Sequence, residues 1–477
     1  VAGYHVENFG CRASRADGEG IAAGLQSLGL EAAGLASADI VVLNTCSVTA
    51  EADKDARAFV RRAKRLNPSS RVVVTGCYAQ RAPVEVAALP GVDRVIGNSH
   101  KSLVAEIASG MVSPRNVVPL HQLLEASSIL VDDTFAHSDI AFTAPLEPSQ
   151  STRTRPNLKI QDGCGNRCSF CVIPQTRGGS RSIPMTRVLE DVCRFVDGGG
   201  QEMVLSGINL GRWGRDLQPQ QRFEDLVEAI LLQTKLPRLR ISSVEPMDWT
   251  DRLIELFAAF SREGQRLARH IHLPLQSGSD EILRAMYRRY RPWHYAAKLA
   301  AIHQAIPDAA IGADVMVGFP GETDALFAET YRFIEQQPFT YLHLFPFSAR
   351  PGTAAWTLHK EKPVPGEAVK ERMAGLRSLA DAKHKAFCAR FVDRELSVVT
   401  LQTSEEDWAI GVTRALSDNF LSIELKASLP ANRMLRAKIT GATAGGLSAQ
   451  PIDCRLHGKI TKRPEPGLQS SASQMLY

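Results

Sequence analysis

The chain of 477 residues has no apolar run near the roughly 20 residues that span a bilayer. It opens on the strand-like Tyr4-His5-Val6-Glu7-Asn8-Phe9 instead of a basic leader followed by an apolar core. The expectation is a cytoplasmic protein with no membrane partner. Charge of one sign is also scarce. Lys and Arg number 56 and Asp and Glu 51, a net charge of +5 that permits nucleic-acid binding without requiring it. Composition is that of an ordinary globular protein, and the length exceeds what one hydrophobic core supports. What stands out is nine cysteines. In a cytoplasmic chain they point to metal or redox chemistry, not to structural disulfides. Cys193, Cys388 and Cys454 lie within or beside apolar stretches without metal-ligand spacing and read as core residues.

Cys164, Cys168 and Cys171 form a C-x₃-C-x₂-C run, with Gly163 and Gly165 flanking the first and Phe170 just before the last. Three thiolates are one short of the four that a closed zinc or iron–sulfur site takes. Held by three, a [4Fe–4S] cluster keeps one iron open to a small molecule. The alternative is a zinc site completed by a distant Cys or His.

Cys11, Cys46 and Cys77 share another context. Each follows a short apolar run: Val6–Phe9, Ile40–Thr45 and Val72–Gly76. Rich in Val and Ile without alternation, these runs read as buried parallel strands, separated by helical patterns at Asp17–Leu28 and Ala50–Leu66. A parallel sheet puts all strand C-termini on one edge. The three cysteines therefore meet in space, a second open triplet and a second cluster.

From Leu158 onward strand and helix signals alternate. Strands are expected at Leu158–Gln161, Glu202–Ile208, Leu239–Val244, His270–Leu275, Ala309–Val317 and Tyr341–Phe347. Six βα units make a partial barrel of the TIM type, with its site at the strand C-terminal face. Candidate ligand contacts at that face are Ser206 and Gly207, Ser243 and Glu245, Gln276 and Ser277, and Gly318. After Pro363–Pro365 comes a helical pattern, Glu367–Phe391, and then short strands: Leu396–Leu401, Trp408–Thr413, Phe420–Glu424, Met434–Ile439 and Leu447–Gln450. They suggest a small β-barrel of the oligonucleotide-binding sort. Basic clusters offer candidate RNA contacts at Arg61, at Arg177 and Arg181, and at Arg288 and Arg289.

The fold class is thus α/β: an N-terminal parallel-sheet domain (1–110), a linker (111–152), a partial (βα)₆ barrel (153–389), a small β-barrel (390–455) and a disordered tail (456–477).

The Gly163–Cys171 stretch resembles the cluster loop of radical S-adenosylmethionine (SAM) enzymes, in which the aromatic before the last Cys packs near the adenine. The C-terminal strands resemble a TRAM domain. As a whole the chain resembles a radical-SAM methylthiotransferase. Asn44–Thr49 with Ala52, Asp53 and Arg57, Lys159–Cys164, and Met286–Tyr290 are similar to the branch acting on threonylcarbamoyladenosine in tRNA. Other branches act on isopentenyladenosine or on a ribosomal-protein aspartate. In one departure, Ser14 stands where the family carries Asn.

The resemblance implies two [4Fe–4S] clusters and two SAM per turnover. The cluster on Cys164, Cys168 and Cys171 cleaves SAM to a 5′-deoxyadenosyl radical, and a methylated sulfur beside Cys11, Cys46 and Cys77 then bonds to C2 of adenosine 37. Expected partners are the tRNA anticodon loop, a low-potential donor such as flavodoxin or ferredoxin, and a sulfur source. A different class remains, an RNA-binding protein with structural or redox-sensing clusters.

Overall fold

The computed structural model describes residues 1–47, 49–111, 128–136, 154–262 and 266–452. The first unit is a six-stranded parallel sheet of order β2-β1-β3-β4-β5-β6. Its strands are β1 (Gly3–Asn8), β2 (Glu31–Ala32), β3 (Ile40–Thr45), β4 (Arg71–Gly76), β5 (Arg94–Ile96) and β6 (Ile129–Leu130). Both faces are covered, which explains the apolar runs without alternation. Tyr4, Ile40 and Val42 pack with Ile21 and Leu25 of helix α1 (Arg12–Ser27). Val41 and Leu43 pack with Phe59 and Val60 of helix α2 (Ala50–Leu66). At the start of α2 the Thr49 hydroxyl accepts from the Ala52 N–H at 3.2 Å. Glu51 and Asp53 sit in its first turn and Lys64 and Arg65 in its last, as the helix dipole favours. Strand β6 corrects the expected linker: Ile129 pairs with Val95, so part of 111–152 completes this sheet.

The second unit contains β7 (Asn157–Asp162), β8 (Arg181–Ser182), β9 (Glu202–Gly207), β10 (Arg238–Ile241), β11 (His270–His272), β12 (Ala310–Val317) and β13 (Tyr341–Pro346). Two sheets, β10-β9-β7-β8 and β11-β12-β13, are joined by parallel bridges Leu239–Leu267 and Ser243–His272. Six parallel strands thus run β7-β9-β10-β11-β12-β13, a partial (βα)₆ barrel with β8 antiparallel on β7. Leu205, Ile241, Ile271 and Val315 share one core with the surrounding helices.

A helix at Gly366–Ala389 bridges to the last unit. Its Met373 and Leu376 join the barrel core, and its Phe387 and Cys388 join the next. That unit is a closed barrel, β14-β15-β16-β18-β17, from β14 (Glu395–Thr400), β15 (Thr413–Ser417), β16 (Ser422–Leu425), β17 (Met434–Thr443) and β18 (Gly446–Pro451). Trp408–Thr413 was expected as a strand, but Glu405–Ala409 is a helical turn. Ser404 caps it, accepting from the Asp407 N–H at 3.1 Å, and three acidic residues fill its first turn. Capping outweighs the β preference of Trp408. Cys388 is buried as expected, whereas Cys193 is exposed, on the solvent side of its helix. Cys454 and the tail 456–477 lie outside the described residues. No helix among the described residues is long and apolar enough to cross a membrane.

Candidate active site

Strand register brings the first cysteine triplet together. Asn8 pairs with Asn44 and Thr45 with Gly76, so Cys46 and Cys77 leave adjacent strand ends, and Cys11 follows the third. At Gly10, with φ +118°, a Cβ would lie 2.5 Å from the Cys46 Cβ and 3.0 Å from its Sγ. Only glycine lets the Cys11 loop approach so closely. Cys46 and Cys77 are buried and Cys11 is exposed. Asn98 donates to the Cys77 Sγ at 3.5 Å, and the Ser14 hydroxyl lies 3.7 Å from the Cys11 Sγ.

The second triplet follows β7. Gly163, with φ +73°, starts the loop, and a Cβ there would meet the Gly179 carbonyl oxygen at 1.9 Å. Gln161 staples the loop to the end of β9: its Nε2 donates to the Gly163 carbonyl at 2.8 Å and its Oε1 accepts from the Asn209 N–H at 2.7 Å. Phe170 packs with Ile282, Met286, Met316 and Phe319. Each sulfur accepts a hydrogen bond. Cys164 takes the Asn166 N–H at 3.4 Å and the Asn209 amide at 3.6 Å, Cys168 takes Arg288 Nη1 at 3.3 Å, and Cys171 takes the Ile173 N–H at 3.4 Å. Burial, with Cys168 and Cys164 close by, pushes the Cys171 thiol up to about 12, and burial raises Cys164 too. Such crowded thiols ionise when a metal takes the charge. Their sulfurs, already supplied with N–H donors, fit a cluster of three thiolate ligands.

The elements that carry the two triplets meet at a buried ionic joint. Arg177 donates through Nη1 to Asp162 at 2.9 Å and through Nη2 to Asp17 of α1 at 3.0 Å and to the Ser14 hydroxyl at 3.2 Å. Lys159 of β7 pairs with Asp17 and with Asp162 at 3.2 Å, and Lys101 with Asp17 at 2.8 Å. Burial would raise Asp17, but Lys101, Lys159 and Arg177 hold it at about 2. The same balance lowers Asp162. Arg350 adds a second bridge, 2.7 Å from Asp53 of α2.

Two family models match the chain: the uncharacterized protein family UPF0004 over residues 3–97 and the radical SAM superfamily over residues 158–334. The threonylcarbamoyladenosine tRNA methylthiotransferase MtaB of Bacillus subtilis is 35% identical, over 82% of this chain and 83% of the relative. Its namesake in Aquifex aeolicus is 33% identical over 91% and 99%. The chain belongs to the radical-SAM methylthiotransferase family. Within it, the tRNA-2-methylthio-N(6)-dimethylallyladenosine synthase of Thermobifida fusca is 34% identical, over 84% of this chain and 78% of that one. The solved radical S-adenosylmethionine methyltransferase TsrM of Kitasatospora setae shares the fold, with a TM-score of 0.54 at 14% identity over 76% of this chain and 79% of that one.

A radical-SAM methylthiotransferase uses a [4Fe–4S] cluster and SAM, and two buried polar atoms without partners, Ser206 Oγ and Gln276 Oε1, suit such a polar ligand. Gly207 packs closely on Gln161, and Ser243 ends the bridge to His272. Glu245 pairs with Arg288, and burial raises its carboxyl despite that pairing. Two expectations need correction. Arg288 is buried between Glu245, Tyr290 and Cys168, where no RNA phosphate reaches it. Arg177 is buried in the ionic joint. Ser277 turns its hydroxyl onto Thr330 at 2.9 Å, inside the helical layer. A Cβ at Gly318 would lie 2.6 Å from Val369. Arg61 and Arg289 are exposed, and Arg181 is half-buried against the Arg177 carbonyl. Sequence reasoning missed Asn98, Asn209 and the Asp17 joint. A lysine inside the apolar run Leu158–Ile160 was the one visible signal of that joint.

Proposed function

We propose that the chain adds a methylthio group to C2 of N6-threonylcarbamoyladenosine at position 37 of tRNA. The observation that supports the joint use of both triplets is the Ser14–Arg177–Asp162 path, which ties the start of α1, just after Cys11, to the end of β7, just before Cys164. The relatives named for threonylcarbamoyladenosine support the substrate. In this reading, a [4Fe–4S] cluster with SAM at Cys164, Cys168 and Cys171 supplies the radical chemistry that an aromatic C–H requires, and a second cluster at Cys11, Cys46 and Cys77 supplies sulfur. The chain's share is positioning and exclusion of water. Asn209, Arg288 and two backbone N–H groups orient the barrel thiolates, Asn98 and Ser14 attend the other triplet, and the ionic joint closes the interface. Ser206, Gly207, Ser243, Glu245 and Gln276 are the SAM contacts of this reading, with Phe170 beside the adenine. Two SAM are consumed, one for the radical and one for the methyl group. A flavodoxin or ferredoxin supplies electrons, and a separate donor restores the sulfur.

Adenosine 37 lies next to the anticodon in a loop, so its base can be splayed into the pocket without opening a duplex. Exposed Arg61 and Arg289, the half-buried Arg181 and the C-terminal barrel, read as a TRAM-like module, would hold the RNA by charge and shape. The relatives named for dimethylallyladenosine support a second reading, with that base as substrate.

Nucleoside analysis of tRNA from a strain lacking this chain tests both. Loss of the methylthio form of threonylcarbamoyladenosine is expected, restored by the wild type and not by Cys46→Ala. Loss of the dimethylallyl product instead favours the second reading, and unchanged tRNA removes both. In the purified protein Cys46→Ala should hold about half the iron and still cleave SAM when reduced. No cleavage by the wild type would leave the redox-sensing class.

A further inference from the structure

His272, Asp314 and His343 stand on three adjacent strands, β11, β12 and β13, and their ligand atoms all lie within 4.8 Å of one another. The strands enforce the grouping. Asp314 pairs in register with His343, and His272 pairs with Gly312, two residues before Asp314. His272 Nε2 is 3.1 Å and His343 Nδ1 3.2 Å from the same carboxylate oxygen, Asp314 Oδ1. In a tetrahedral zinc site with bonds of about 2.0–2.1 Å, neighbouring ligand atoms are separated by roughly 3.3 Å. The two histidine–carboxylate separations already stand near that spacing, and the two imidazole nitrogens lie within 4.8 Å of each other.

Three further features suit a metal. First, the partners of the Asp314 carboxylate differ from those of the buried ones. Asp17, Asp53, Asp162 and Glu202 each face Lys or Arg. The partners of Asp314 among the described ion pairs are two imidazoles, each able to serve as a metal ligand. Second, the far side of His272 is held. Its Nδ1 is 3.0 Å from the Tyr341 hydroxyl, which also meets His270 Nε2 at 2.7 Å. A partner on one ring nitrogen orients the other toward a metal. Gly312 leaves room for the Tyr341 ring, since a Cβ there would lie 1.9 Å from its Cζ. Third, Asp314 and His343 are each about a quarter exposed, which leaves the site open on one side.

We propose that His272, Asp314 and His343 bind one divalent transition-metal cation of the zinc class, with oxygen donors from solvent or a bound molecule in the remaining positions. Two imidazoles and a carboxylate suit zinc and its neighbours, not magnesium or calcium. The rival is a metal-free network in which both imidazoles donate N–H to Asp314.

The test uses enzyme with both cysteine triplets loaded with clusters, and with the exposed thiol removed by Cys193→Ser in the wild-type reference and in every variant, so that neither the ligand thiols nor that surface thiol competes. Zinc is added, excess is removed by desalting under anaerobic conditions, and zinc and iron are measured by mass spectrometry. About one zinc per chain is expected in the wild type. Asp314→Asn and His343→Gln should lose it at least tenfold with iron unchanged, and Tyr341→Phe should weaken zinc affinity about tenfold. Zinc below a tenth of an equivalent in the wild type overturns the proposal, as does zinc that persists in Asp314→Asn and His343→Gln. If Asp314→Asn also sheds iron, His343→Gln and Tyr341→Phe decide the question.

Discussion

Asp17 is fully buried with three cations around it, and that ratio sets what its loss does. A neutral amide at this position leaves Lys159 and Arg177 with Asp162 and deprives Lys101 of the carboxylate it pairs with. Removing one member of a buried ionic cluster costs about 3–5 kcal/mol, whereas an exposed pair contributes under about 1 kcal/mol. Asp17→Asn should therefore lower the melting temperature markedly. Lys370→Ala, which removes the surface pair to Glu367, should leave it nearly unchanged. Thermal unfolding followed by circular dichroism checks both. Equal shifts would mean that the joint is not the stabilising contact argued above. Half of this joint was legible in the chain. Lys159 within an apolar strand demands a buried anion, but its partner Asp17 lies 142 residues away, beyond the reach of any local pattern.

Among the elements, the strand ends carry the chemistry. The cluster loop begins at Gly163, where the backbone turns with positive φ against the Gly179 carbonyl. Gly163→Ala adds both left-handed strain and a backbone clash at 1.9 Å, so the loop must shift. The expected result is loss of the barrel cluster with the N-terminal one retained. Iron should fall to about half and reductive SAM cleavage should disappear, while far-UV circular dichroism stays native. Full iron content in this variant would show that the loop relaxes without cost. Parallel strands with both faces buried were legible from their Val- and Ile-rich runs. The turn at Glu405–Ala409 was not, because the Trp408 preference for strand had hidden the Ser404 cap.

At the scale of the whole molecule, the C-terminal barrel docks on the end of the central barrel opposite the cysteines. Arg238 opens β10 and bonds Ser397 at 2.5 Å, Arg240 donates to the Ser417 carbonyl at 3.0 Å, and Arg269, just before β11, pairs with Asp418 at 2.7 Å. Glu202 anchors this junction. Burial would raise its carboxyl, yet Arg240, Arg155 and Arg238 hold it at about 2. A carboxyl depressed in the folded state stabilises above its unfolded value near 4.5, and the contribution is lost as pH falls from there toward 2. Glu202→Gln should be less stable than the wild type at pH 7, and the gap should close between about pH 4.5 and 2. Parallel melting-temperature profiles across that window would rule this out. The same junction means that deleting the C-terminal barrel exposes buried arginines, so a truncated chain reports on stability as well as on RNA binding.

The amino-acid sequence by itself determined the two cysteine triplets, the βα order that sets them at strand ends, and the three-unit architecture. Each follows from spacing and periodicity along the chain. Only the tertiary structure decided which charged residues face solvent. Arg177 and Arg288 look like RNA contacts in sequence, and burial turned them into the partners of Asp17, Asp162 and Glu245. The tertiary structure likewise gathered His272, Asp314 and His343 from three strands spread over 71 residues. Desolvation is the physical reason: a charge must be paired once water is excluded, and the partners come from whichever strands and helices the fold packs together.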